Sequence, residues 1–183
     1  MIPLTTLWLP ILLSVVFVFI ASNILHMAIP GWHRADYGKL PDEQPVLNGL
    51  AKAKSGQYIA PNLNWNKIPK EELDKMMQGP MALILLRNPG EFSFPRALIS
   101  YVIYALVVTI LIAYTGAATL RPGTSYLEVF RVIGAAGILA YAFQSINQSI
   151  WYGKPWVSTT KDIIDGIIYG LITAGTFGWL WPK

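Results

Sequence analysis

Four runs of apolar residues dominate this 183-residue sequence, from about Leu4 to Ile29, Ala97 to Thr119, Leu127 to Trp151 and Ile163 to Trp181. A hydrocarbon core about 30 Å thick takes about 20 mostly apolar residues of helix, and each run meets that length. Lipid offers the backbone no water to bond, so a crossing segment must close its own hydrogen bonds as a helix. Composition agrees: 54% of the residues are hydrophobic and only 13% charged, where a soluble domain carries about 25% charged residues. The reading is an all-α membrane protein. Transmembrane helix 1 lies in residues 1–29, a small α+β insertion in 30–96, and transmembrane helices 2 to 4 in 97–183, packing with helix 1 as one membrane domain. No Lys or Arg precedes the first run, which also exceeds the apolar stretch of a secretory leader, so it is expected as a retained helix.

Basic residues orient the spans. The 30–96 and 152–162 connections fall on one face and hold Arg34, Lys39, Lys52, Lys54, Lys67, Lys70, Lys75, Arg87, Arg96, Lys154 and Lys161. The other face holds Arg121, Arg131 and Lys183. The positive-inside bias therefore places the insertion in the cytoplasm and both termini outside. Tryptophans mark the same boundaries: Trp8, Trp32, Trp151, Trp156, Trp179 and Trp181 sit at helix ends, where an amphipathic ring prefers the headgroup layer, and only Trp65 lies elsewhere. Within the insertion, Val46 to Lys54 reads as a short helix and Gln57 to Ala60 as a strand. Pro69-Lys70-Glu71-Glu72 opens another helix, with proline early and acids in the first turn. Met81 to Leu86 is an apolar run of strand length.

The exit from the first helix reads Ser22-Asn23-Ile24-Leu25-His26-Met27-Ala28-Ile29-Pro30, followed by Trp32-His33-Arg34-Ala35-Asp36-Tyr37-Gly38-Lys39-Leu40-Pro41-Asp42-Glu43. The fourth span closes with Thr173-Ala174-Gly175-Thr176-Phe177-Gly178-Trp179-Leu180-Trp181-Pro182. With the His-x-x-Asp-Tyr-x-x-Leu-Pro-Asp-Glu string as its most specific part, the chain resembles a group of uncharacterised bacterial membrane proteins of similar length. That resemblance implies a multi-pass protein of the bacterial inner membrane and carries no catalytic residue with it.

Composition removes several chemistries. The chain has no cysteine, which excludes disulfides, thiolate-bound zinc, iron–sulfur clusters and thiol catalysis. Two histidines cannot make a three-histidine metal site, and a net charge of +4 is no nucleic-acid footprint. Polar residues nevertheless collect at the cytoplasmic helix ends: Asn23, His26, Gln144, Asn147, Gln148, Asp162 and Asp165. A charged group in lipid costs about 2.5–3.5 kcal/mol on insertion scales, so these residues should face the bundle or water and could line a polar chamber. Alternatively, Asp162 caps the fourth helix with Thr159 in a capping box, and the carboxamides hold helices together. Glu128 and Arg131, three residues apart, suit a local salt bridge at the opposite end. His26, His33 and Asp36 offer the ligand types of a facial metal triad. Pro30-Gly31 separates His26 from the other two, however, and the spacing is not diagnostic, so neither metal nor cofactor is expected.

Gly166, Gly170, Ala174 and Gly178 repeat every four residues and form a smooth stripe that lets another backbone approach. The third helix carries a matching patch at Gly134-Ala135-Ala136-Gly137. Pairing of these two helices within the chain is expected, with dimerisation through the fourth helix as the alternative. Without a catalytic motif, the function expected is a non-catalytic accessory or scaffold subunit, partnered by the lipid bilayer and by a membrane protein or a second copy. A small oligomeric transporter using Asp162 or Asp165 is the alternative, and a membrane enzyme acting on lipid or quinone through His26 and an acid is the second.

Overall fold

The structure, a computed structural model, describes residues 1–63 and 67–183; Trp65 lies outside the described residues. Three helical stretches are long and apolar enough to cross a membrane: Leu4–Ala28, Phe94–Thr119 and Tyr126–Tyr152. The first combines a 3₁₀ turn, α1 (Trp8–Asn23) and a π-helical turn over Ile24–Ala28. The second is α4 (Phe94–Thr119). The third is α5 (Tyr126–Ala142) and, after a break at Phe143–Ser145, α6 (Ile146–Tyr152). The last helix, α7 (Trp156–Trp179), is of similar length but carries Lys161, Asp162 and Asp165 in its first half. Between α1 and α4 come α2 (Gln44–Leu50), β1 (Gly56–Ala60), α3 (Lys70–Met77) and β2 (Ala82–Leu86). The two strands pair antiparallel, from Gly56 opposite Leu86 to Ala60 opposite Ala82.

The chain divides into two compact units, one of residues 1–38 with 95–183 and one of residues 39–94. The boundary falls some nine residues beyond the end of the first apolar run, because residues 32–36 are bonded to α7 and belong to the helical unit.

Within the helical unit, α7 is the interior helix. Its small-residue stripe faces α5 at backbone distance. A Cβ built on Gly166 would lie 2.4 Å from the Ala142 Cα, and one on Gly170 would lie 2.7 Å from the Ile138 amide nitrogen. Neither place admits a side chain. Such proximity multiplies dispersion contacts, the main source of helix adhesion where lipid removes the hydrophobic drive. Further along, Phe177 and Trp181 meet Leu7, Ile112, Ala113, Ala117, Val129 and Ile133 in a closed apolar core. Backbone and indole bonds fasten that end: Ile2 N–H to the Ala117 carbonyl (3.1 Å), Gly123 N–H to Pro182 (2.8 Å), and Trp181 Nε1 to Arg121 (2.9 Å). The two termini and the 120–126 turn therefore share one end of the bundle.

The outer faces are apolar. Ile99, Ile103, Val107 and Leu111 form an exposed stripe along α4, and Leu12, Val16 and Ile20 one along α1. Two local expectations are corrected. Thr159 does not cap α7, which starts three residues earlier behind Pro155; it is buried and shares a 2.5 Å bond with Ser149, while Asp162 pairs with Lys154. Glu128 accepts from the Ser125 hydroxyl (3.2 Å) at the α5 N-terminus instead of pairing with Arg131. Replacing Gly166 by valine should force α5 and α7 apart and cost about 1–3 kcal/mol, the usual range for overpacking. Gly175→Ala, whose Cβ meets only the Tyr126 hydroxyl at 3.8 Å, should leave stability unchanged. Thermal melts of both variants in one detergent check the pair.

Candidate functional site

The site begins where the first span ends. After the π-helical turn, Gly31 takes a left-handed conformation (φ +81°) with open space around it; the backbone angle, which glycine reaches without strain, is what requires it. The turn sends Trp32 and His33 back toward α7, and a 3₁₀ turn over Arg34–Asp36 follows.

Asp165, 3% exposed, receives them. The Trp32 indole Nε1 donates to Oδ1 (2.8 Å), and His33 Nε2 faces Oδ2 (2.6 Å). The other ring nitrogen of His33 faces Asp36 Oδ2 at 3.0 Å. Lys161, one turn before Asp165 on α7, donates to Asp36 Oδ1 (2.6 Å) and to the Trp32 carbonyl (2.5 Å). The network thus closes on itself: Asp165, His33, Asp36 and Lys161, with Trp32 bonded at both its ends. Burial raises the Asp36 carboxyl, but the bonds from Lys161 and His33 outweigh it and hold the group below the ordinary carboxylate range. His26 lies against the other face of His33, its ring stacked at 4.2 Å between centroids and 16° between planes. Its Nδ1 donates to the Ser22 carbonyl (3.1 Å) and stands 4.0 Å from Asp165 Oδ2.

Beside this network the bundle contains a chamber of about 470 Å³. Ser22 and His26 line it from the first span, Tyr101 and Tyr104 from α4, and Tyr141 from α5. Gln144, Ser145, Gln148 and Lys154 close the α5–α6 side, and Asp162, Asp165, Gly166 and Tyr169 the α7 side. The chamber exists because α5 breaks at Phe143–Ser145 just where the stripe on α7 gives way to acids. Two lining groups, the hydroxyls of Ser145 and Tyr169, are buried without a hydrogen-bond partner. Tyr141 and Tyr169 meet edge to face at 5.9 Å and belong both to the chamber lining and to the apolar core.

Of the polar residues singled out in the sequence, His26, Gln144, Gln148, Asp162 and Asp165 come together around this chamber. Asn23 turns back to the Phe19 carbonyl (2.7 Å), and Asn147 is exposed on α6. The metal trio is redrawn: the carboxylate shared with both histidines is that of Asp165, while Asp36 stands behind His33. Trp32, Lys154, Lys161 and the four tyrosines escaped sequence reasoning. Tyr101 and Tyr104 at i,i+3, and Lys161 and Asp165 at i,i+4, were the periodic signals that could have found some of them. No protein-family model, no curated protein and no solved structure matches this chain.

The Lys161 to Asp36 bond is a partly buried ion pair, and removing one partner strands the other. Lys161→Met should therefore destabilise the protein, and adding Asp36→Asn should recover part of the loss. A double-mutant cycle on thermal melts should return a coupling of about 0.5–3 kcal/mol between the two positions.

Proposed function

We propose that this chain is a four-span protein of the bacterial inner membrane, with both termini outside, that binds a small hydrogen-bonding molecule in its chamber. A chamber lined by polar residues within an otherwise apolar bundle carries this reading. The carboxamides of Gln144 and Gln148, lining residues that are exposed, offer both donors and acceptors to a ligand rich in hydroxyl or amide groups. The lining suits a neutral or zwitterionic molecule, since its one ammonium, that of Lys154, is already paired with Asp162. A polyol and the headgroup of a lipid share this chemistry.

Four spans follow from treating α7 as the shielded interior member. At about 1.5 Å per residue its 24 residues suffice to cross about 30 Å of hydrocarbon, and its charged groups face partners within the bundle. The basic residues near the 30–96 and 152–162 connections support a cytoplasmic location for that end. An accessory or scaffold role is supported less well, because the small-residue stripe that could have docked a partner is occupied by α5. A transport path past Asp165 would have to pass the closed core of Ile112, Ile133 and Phe177.

Native mass spectrometry of the full chain released from nanodiscs of bacterial lipid tests the chamber. A bound polyol or a retained phospholipid should appear at one per chain, and the mass distinguishes these two sources. Gln148→Trp, which puts a bulky ring into the chamber from an exposed lining position, should abolish the adduct while leaving the melting temperature within a few degrees. Identical adducts on both proteins would contradict the reading.

A further inference from the structure

The Asp165–His33–Asp36 arrangement contains more acceptors than hydrogens. A neutral imidazole carries one N–H, yet both ring nitrogens of His33 face carboxylate oxygens, at 2.6 and 3.0 Å. If Nδ1–H is given to Asp36, the lone pair of Nε2 points at Asp165 Oδ2, which is itself an acceptor. Two acceptors in that position need a positive centre between them. The charge tally agrees: Asp36 is paired with the Lys161 ammonium, whereas Asp165 is bonded to Trp32 and His33 and, among the described residues, to no lysine or arginine. His26 brings a third donor: one nitrogen of each imidazole and one oxygen of Asp165 all lie within 4.8 Å of one another.

We propose that His26, His33 and Asp165 form a binding site for a divalent transition-metal ion of the zinc class on the wall of the chamber. Two imidazoles and a carboxylate suit such an ion, whereas calcium and magnesium take oxygen ligands. Ligand atoms each about 2 Å from a zinc ion stand about 3.3 Å apart, so the 2.6 Å contact need open only slightly to admit it. Each ligand is oriented from behind. The His33 Nδ1–H is fixed by Asp36, which Lys161 holds in turn, and Asp165 Oδ1 is fixed by the Trp32 indole. A histidine whose second nitrogen is bonded to a carboxylate is the usual outer shell of a zinc site. His26 presents Nδ1, 4.0 Å from Asp165 Oδ2; to ligate, it gives up its bond to the Ser22 carbonyl and carries its proton on Nε2 instead. Three protein ligands leave a fourth position open. A bound divalent ion leaves one positive charge for the five groups together, which a hydroxide at the open position would neutralise. The site stands independently of which molecule the chamber takes.

The test uses the full chain in mild detergent, stripped with a chelator and titrated with Co²⁺ as a spectroscopic probe and then with Zn²⁺. Wild type should take up one Co²⁺ per chain, with visible absorption of a four- or five-coordinate site, and Zn²⁺ should displace it. Asp36→Asn should weaken binding 10–100-fold through the outer shell, and His26→Gln should weaken it at least tenfold. Loss of the absorption band is expected in His33→Gln. If His33→Gln fails to fold, the half-exposed His26 still supplies the ligand test. Absence of saturable Co²⁺ uptake by wild type, or uptake by His26→Gln and Asp36→Asn as tight as by wild type, would overturn the site and leave His33 as an imidazolium between two carboxylates.

Discussion

The constraint on which everything else depends is that α7 must lie inside. A helix carrying Lys161, Asp162 and Asp165 within its first three turns cannot show that face to hydrocarbon without a cost of several kcal/mol. It is tolerable only if other helices shield it and other side chains answer its charges. Both conditions are met by different means. The glycines on α7 let α5 come to backbone contact along one side. The segment following the first span folds back so that Trp32, His33 and Asp36 can bond Asp165 and Lys161.

Shielding and the chamber come from one arrangement. The stripe from Gly166 to Gly178 makes the C-terminal half of α7 a packing surface, and there the bundle is filled. Where the stripe ends, α5 breaks, tyrosines replace aliphatic residues, and the interior opens into a chamber. The apolar core at one end and the polar chamber at the other are thus two halves of the same helix pair. A buried carboxylate at their junction has its geometry set by two partners, Trp32 and His33, before any ligand arrives, the kind of preorganisation that a binding site needs.

Much of this was legible in the sequence. Long apolar runs gave the helices, and the short elements of the insertion appear close to their expected positions: the strand expected over Gln57–Ala60 starts at Gly56, and the one over Met81–Leu86 starts at Ala82. The clustering of His26, Gln144, Gln148, Asp162 and Asp165 followed from topology alone, because antiparallel helices bring sequence-distant ends together. The error over Asp36 has a physical cause. Sequence spacing suggested that His33 and Asp36 act together, and they do bond, but which carboxylate lies between the two histidines is decided by a reversal at Gly31 that brings residue 33 to residue 165. The tyrosines were missed because an aromatic residue in an apolar helix reads as lipid-facing or core until the neighbouring helix is placed.

Because the chain has no cysteine, the position of α7 can be measured directly with single cysteines introduced at its two ends. Tyr152→Cys and Lys183→Cys, labelled with a membrane-impermeant maleimide in intact and inverted vesicles, bracket the helix. With α7 crossing as the shielded fourth span, the two positions react from opposite sides, residue 152 from the cytoplasm and residue 183 from outside. Reaction of both from the same side would contradict it, and the chamber would then have no place inside the membrane.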